Sequence, residues 1–322
     1  MTVMPETPRA SPLQVQQAAD ILRGGGLVAF PTETVYGLGA DADNGDAIKR
    51  LYAVKNRPAD HPVIIHVAEK SDIDYWVQTV PVYATALMRD YWPGPMTLIL
   101  HRSARARDVV TGGQDSVGVR VPDHPVAQQL LREFRARGGH GLAAPSANRY
   151  GAVSPTDAAA VRSELQHHLG PADMILDGGP CDVGVESTII DCTRSNPVIV
   201  RPGALTAEMI EASTGLDVRD PGLTKVRVSG SHLRHYSPQA RVVIGGVSAA
   251  GEGLIAGDEV ATPSGVIRLT APTSREQYAR SLYSALREAD RRGLAVVRVI
   301  PPTGDGLAIA IRDRIARSGA EA

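Results

Sequence analysis

The 322-residue chain is 43 % hydrophobic and 21 % charged, a globular balance with room for two cores, since single cores seldom grow past roughly 250–300 residues. Its two cysteines argue against a disulfide framework and for a reducing, cytoplasmic setting, and apolar runs such as Gly26-Leu27-Val28-Ala29-Phe30 fall short of the roughly 20 residues a bilayer span needs. The net charge of −1 divides into −6 for residues 1–218 (19 Lys/Arg, 25 Asp/Glu) and +5 for the rest (15 against 10), which weighs against a general nucleic-acid binder.

The Thr/Pro/Glu-rich stretch before Leu13 lacks a secretory pattern and reads as a disordered leader. Helical spacing from Leu13 to Leu22 stops at Gly24-Gly25-Gly26, and Leu27 to Phe30 is a short buried strand. Asp46 to Val54 is an amphipathic helix capped by Asp43 or Asn44. Strands follow at Val63–Val67, at Met96–Leu100 after the turn Trp92-Pro93-Gly94-Pro95, and at Val117–Val121. Pro125 to Arg135 is a helix. Leu142-Ala143-Ala144 leads into a Ser146 loop, and Asp157 to Leu165 is helical, with Ser154 as its cap. Met174–Asp177, Ser187–Asp191 and Val198–Arg201 complete a twisted open α/β domain over 11–216. Residues 217–238 read as an interdomain linker. A smaller α/β domain over 239–322 has strands at Arg241–Ile244 and Ala295–Ile300, a helix from Tyr278 to Arg292, and a last helix opened by Gly304-Asp305-Gly306-Leu307.

No Walker loop, dinucleotide fingerprint, HExxH or paired CxxC occurs. The polar residues that stand out follow apolar strands, where α/β proteins bind ligands. Thr32 and Thr34 alternate along one segment and offer two hydroxyls, or are ordinary β-formers. Lys55 and Arg57 either converge on phosphate from an extended loop or close a helix C-terminus. Arg120, inside an apolar strand, needs a partner or a cavity. Ser146-Ala147-Asn148, Glu186-Ser187-Thr188 and Arg201 add polar groups at other strand ends. Individually weak, they form a joint pattern suited to anions.

Three runs carry a resemblance: Pro31-Thr32-Glu33-Thr34-Val35-Tyr36-Gly37-Leu38, Lys55-Asn56-Arg57-Pro58, and Ala144-Pro145-Ser146-Ala147-Asn148. With Trp92–Thr97, Gly184–Thr188, Arg201-Pro202-Gly203 and Gly304–Arg314, they resemble the YrdC-like threonylcarbamoyl-AMP synthases in their long form. The resemblance implies a YrdC-like domain followed by a Rossmann-like one, joined by a linker, ending His235-Tyr236-Ser237-Pro238, that folds over the site. It implies condensation of L-threonine, bicarbonate and ATP to threonylcarbamoyl-AMP and pyrophosphate, for t6A modification of tRNAs that read codons beginning with A. By position, Thr32, Thr34, His66, Arg120, Ala144 and Ser187 correspond to the threonine site, with Arg120 on the carboxylate. Lys55, Arg57, His61, Ser116, Ser146, Asn148, Ser154, Arg201 and Tyr236 correspond to the ATP site, Lys55 and Arg57 being the catalytic pair. His61 stands where Asn is common and Ser116 where Thr is common. Mg²⁺ would be held mainly by the phosphates, with no protein metal site.

Later t6A-pathway proteins are the expected partners, with neither direct tRNA binding nor a membrane required. Two competing readings are an RNA- or ribosome-binding module, disfavoured by the acidic first part and scarce aromatics, and carbamoyl-adenylate chemistry on carbamoyl phosphate. The latter comes with zinc-finger-like and acylphosphatase-like segments that this chain lacks. A third reading makes the C-terminal domain a docking platform.

Overall fold

The computed structural model describes residues 10–219, 226–228 and 236–320. The first helix shows how local chemistry sets the elements. Ser11 Oγ accepts from Gln14 N while Gln14 Oε1 accepts from Ser11 N at 2.8 Å, and Pro12 opens α1 (Pro12–Arg23), a capping box with proline in the first turn. The buried stripe of α1, Val15, Ala18, Ala19 and Leu22, packs on Val126, Leu130 and Phe134. In α2 (Gly45–Lys55) Asn44 accepts from Asp46 N and Ala47 N. The remaining helices of the first part are α3 (Val82–Tyr91), α4 (Asp108–Thr111), α5 (Pro125–Ala136), α6 (Ala158–Leu165) and α7 (Ala207–Thr214).

These helices cover a nine-stranded mixed sheet. Its strands are β1 (Val28–Phe30), β2 (Gly37–Asp41), β3 (Ile64–His66), β4 (Met96–His101), β5 (Ser116–Arg120), β6 (Leu142–Ala143), β7 (Met174–Ile175), β8 (Thr188–Asp191) and β9 (Val198–Arg201). Their spatial order is β7-β1-β2-β6-β3-β5-β4-β8-β9. β3 and β5 run parallel with His66 opposite Arg120, so both side chains stand at the same carboxyl end. The bridge between Gly37 and Ser146 seats the Ser146 loop at the start of β2, towards the amino end of β3, because Leu142 pairs with His66 and Ala143 with Ile65.

The second part has a four-stranded, all-parallel sheet. It contains β10 (Arg241–Ile244), β11 (Gly253–Ile255), β12 (Ile267–Thr270) and β13 (Val296–Val299), in the order β10-β13-β11-β12. With α8 (Arg275–Arg291) and α9 (Leu307–Ser318) it forms the smaller α/β unit. Val35, Val153 and Val185 of the first part share one buried cluster with Tyr236, Tyr283 and Ile311. The two parts therefore share one core.

Several expectations change. Ser154 does not cap α6: Asp157 accepts from Ala160 N at 2.7 Å, and Ser154 turns instead to Glu186. Helix α8 begins at Arg275 because Ser274 accepts from Gln277 N, ahead of the expected Tyr278. β2, α3, α4, α7, β11 and β12 were not expected. Of the expected linker, only residues 217–219, 226–228 and 236–238 are described; His235 lies outside the described residues.

Candidate active site

The loop after β1 bends back on itself. Thr32 Oγ1 donates to Val35 O at 2.7 Å, which leaves Thr34 Oγ1, 2.8 Å away, as the donor between the two hydroxyls. Thr34 Oγ1 in turn accepts from Arg120 Nη1 at 3.0 Å. This chain of bonds fixes the direction of every hydroxyl hydrogen in it. Arg120 also donates through Nε to Gly94 O at 3.3 Å and forms an ion pair through Nη2 with Glu33 at 2.7 Å.

Arg120 therefore has both a partner and a cavity. It lines a pocket together with Thr32, Thr34, His66, Ala144, Ser187, Arg57, Ser146, Arg201, Glu186 and Tyr236. Burial, then the positive charge of Arg120, lowers the pKa of His66 to about 3, so its imidazole is neutral near pH 7. His66 Nδ1 is buried with no hydrogen-bond partner among the described residues.

Arg201, closing β9, donates through Nε and Nη2 to Ser187 O at 3.1 and 2.9 Å, and through Nη2 to Ser187 Oγ at 3.0 Å. Ser187 Oγ lies 2.8 Å from Thr97 Oγ1. Gly203 permits this closeness, since a Cβ there would stand 2.3 Å from Thr188 N. Burial lowers the pKa of Arg57 and of Arg201, as expected when cations are held away from water before an anion arrives.

Lys55 and Arg57 do not project together from an extended segment. Lys55 is the last residue of α2, and Asn56 turns the chain with φ 51°. The Lys55 ammonium passes under the Ser146 loop, donating to Ser146 O at 2.6 Å and to Asn148 O. Burial, then Arg57, pushes its pKa well below the usual lysine value. Arg57 faces the pocket and donates to Pro62 O at 2.8 Å.

The other expected nucleotide residues stand around this wall, off the pocket lining. Asn148 Nδ2 donates to Arg149 O and Ala152 O at 2.7 and 2.8 Å, bracing the loop. The His61 ring lies 5.3 Å from that of Tyr150, which also faces Arg57. Ser154 Oγ donates to Glu186 at 2.6 Å. Ser116 opens onto a neighbouring slot with Gln114 and residues Val226 to Val228, and that slot shares Ile64 with the main pocket. Two carboxylates were missed as site members. Glu33 lay inside a recognised run, and Glu186 was noted only as a polar strand-end group.

Among the described residues, no group of three or more His, Cys, Asp or Glu side chains converges to hold a metal ion. The pocket wall carries three cations, Arg57, Arg120 and Arg201, and one carboxylate, Glu186.

A family model described as telomere recombination, spanning the Sua5, YciO and YrdC proteins, matches residues 20–203. A second, described as the C-terminal domain of threonylcarbamoyl-AMP synthase, matches residues 205–320. The chain belongs to the Sua5/YciO/YrdC family. Its long-form relatives include the threonylcarbamoyl-AMP synthase of Pyrococcus abyssi, 36 % identical over 334 residues, covering 95 % of this chain and 94 % of that one. The Bacillus subtilis threonylcarbamoyl-AMP synthase is 44 % identical over 236 residues, covering 72 % of this chain and 66 % of its own length. In structure, this Sua5/YciO/YrdC chain is similar to P. abyssi Sua5 complexed with L-threonine, with a TM-score of 0.87 and 35 % identity. That match covers 97 % of this chain and 96 % of the other.

Proposed function

We propose that this chain is a threonylcarbamoyl-AMP synthase, joining L-threonine, bicarbonate and ATP for t6A modification of tRNA. The observation that carries the reading is the convergence of Arg57, Arg120 and Arg201 on one pocket whose remaining polar lining is mostly neutral. Such a pocket suits an amino-acid carboxylate at one end and phosphates at the other. The full-length match to the Pyrococcus synthase supports it.

In this reading threonine lies against Arg120, Thr32, Thr34, His66, Ala144 and Ser187. Its carboxylate meets N–H groups of Arg120 that Thr34 and Gly94 do not use, three of the five a guanidinium carries, Glu33 engaging Nη2 by charge alone. ATP lies along Arg57, Ser146, Arg201 and Tyr236. Lys55 and Asn148 shape its loop from behind, and His61, Ser116 and Ser154 stand at its margins. The threonine nitrogen bonds to the bicarbonate carbon with loss of water. The resulting carbamate oxygen attacks the α-phosphorus, and pyrophosphate leaves. No side-chain nucleophile is required. The protein's contribution is to hold two anions against each other and neutralise phosphate charge. In this reading Mg²⁺ arrives as part of the ATP substrate, on its phosphates.

A cytoplasmic setting fits the two free, buried cysteines. No helix among the described residues is long and apolar enough to cross a membrane. The deciding experiment is pyrophosphate release from MgATP with and without L-threonine and bicarbonate, with serine as the comparison. Dependence on both co-substrates is expected. Turnover indifferent to threonine, or none, overturns the reading.

A further inference from the structure

Helix α9 belongs to the C-terminal part, yet one of its side chains ends at the pocket wall. Arg314 is only 1 % exposed. Its Nε donates to Glu186 Oε2 at 2.8 Å and its Nη2 to Pro202 O at 2.9 Å. Its guanidinium carbon stands 5.3 Å from the centre of the Tyr236 ring. Tyr283, on α8, donates its hydroxyl to the same Glu186 oxygen at 2.9 Å and stacks on Tyr236 at 5.5 Å. The other Glu186 oxygen accepts from Ser154. Glu186 and Tyr236 line the pocket; Arg314 and Tyr283 stand behind them.

We propose that Arg314 is a positioning residue for the nucleotide half of the pocket, acting through Glu186 and Tyr236. The inference rests on the synthase reading and gives the C-terminal part a duty within it. A buried ion pair is a weak stabiliser compared with apolar packing. What this one adds is geometry. Tyr236 has φ 62°, a left-handed backbone that a bulky residue adopts only when its surroundings hold it. Here Arg314 and Tyr283 pack on the ring, and both donate to one oxygen of Glu186 while Ser154 donates to the other. Removing Arg314 takes one donor from Glu186, which keeps Tyr283 and Ser154, and takes the cation from the Tyr236 ring.

The test uses the full chain as Arg314→Ala, Arg314→Lys and Tyr283→Phe. Steady-state pyrophosphate release reads the KM for ATP, calorimetry without ATP reads threonine binding, and a thermal melt reads the folded fraction. Arg314→Ala should raise the ATP KM about tenfold, the scale of one lost charged hydrogen bond. Tyr283→Phe should raise it about threefold, with threonine affinity within about twofold of wild type in both variants. Arg314→Lys should fall between wild type and Arg314→Ala, because an ammonium keeps the charge and loses the planar fork. A purely structural role would lower kcat in proportion to the folded fraction and leave both affinities alone. That result overturns the proposal, as does a wild-type ATP KM in folded Arg314→Ala. If Arg314→Ala does not fold, an unchanged ATP KM in Tyr283→Phe overturns it. Wild-type protein without threonine-dependent turnover brings down the synthase reading itself, and this inference with it.

Discussion

Arg120 Nη2 lies 2.7 Å from Glu33 Oε1, with the two side chains 5 % and 6 % exposed. The pair balances the guanidinium's charge and sets its aim. Without Glu33, Arg120 would be a buried cation held only by the Thr34 hydroxyl and the Gly94 carbonyl. With Glu33, one edge of the fork is anchored and the remaining N–H groups are oriented.

Glu33→Gln should therefore raise the threonine KM about tenfold while leaving the ATP KM near its wild-type value. Arg120→Ala should abolish threonine-dependent turnover, a fall of at least about a hundredfold. It should also destabilise the protein by about 3–5 kcal/mol, because it strands the Glu33 carboxylate in the interior. Initial rates at varied threonine, paired with urea denaturation, check both. Near-wild-type threonine dependence in Arg120→Ala removes it from the threonine site.

Lys55 acts on the pocket through the Ser146 loop. Its ammonium satisfies the carbonyls of Ser146 and Asn148, and Lys55→Met would leave both without that donor at about 1–3 kcal/mol each. We expect a lower melting temperature and an ATP KM raised at least about tenfold, with threonine binding within about twofold. If Lys55→Met loses threonine binding and ATP binding equally, the loop serves the whole pocket and its assignment to the nucleotide half is wrong.

Much of this was legible from residue order. The apolar runs at Leu27–Phe30, Met96–Leu100 and Val117–Val121 became β1, β4 and β5 because burial on both faces leaves little else for such runs to be. Arg120 announced a buried partner by its place in one of them. That the partner is Glu33 depends on a bend after β1 that alternation cannot reveal. β2 escaped notice because Gly37-Leu38-Gly39-Ala40-Asp41 has little strand propensity; it is a strand because β1 and β6 pair with it on either side. Lys55 and Arg57 were ambiguous between loop and helix end, and the left-handed Asn56 is what separates their directions. Glu186 was read as a strand-end group because its partners Arg314 and Tyr283 lie about a hundred residues or more away in sequence.

Acid should weaken the fold earlier than ordinary carboxylates would cause. Burial and then Arg120 lower His66 from 6.5 to about 3. Below pH 6.5 the unfolded chain takes up a proton that the folded chain refuses. The stability tied to neutral His66 is thus complete above pH 6.5 and declines as pH falls towards 3, by about 1.4 kcal/mol per pH unit. Burial alone would raise Glu186, but Arg314 and Arg201 outweigh it and bring its pKa to about 2. Its contribution is complete above its ordinary value of 4.5 and is lost as pH falls towards 2. Between pH 6.5 and 4.5 His66 supplies the falling slope, opposed by Asp41 and Asp123, whose burial raises them above the ordinary carboxylate value, and Glu186 joins His66 below 4.5. His66→Gln should flatten the upper window in urea-denaturation stability measured against pH and leave the Glu186 component below it. An unchanged slope between pH 6.5 and 4.5 in that variant would show that His66 titrates alike in the folded and unfolded chains.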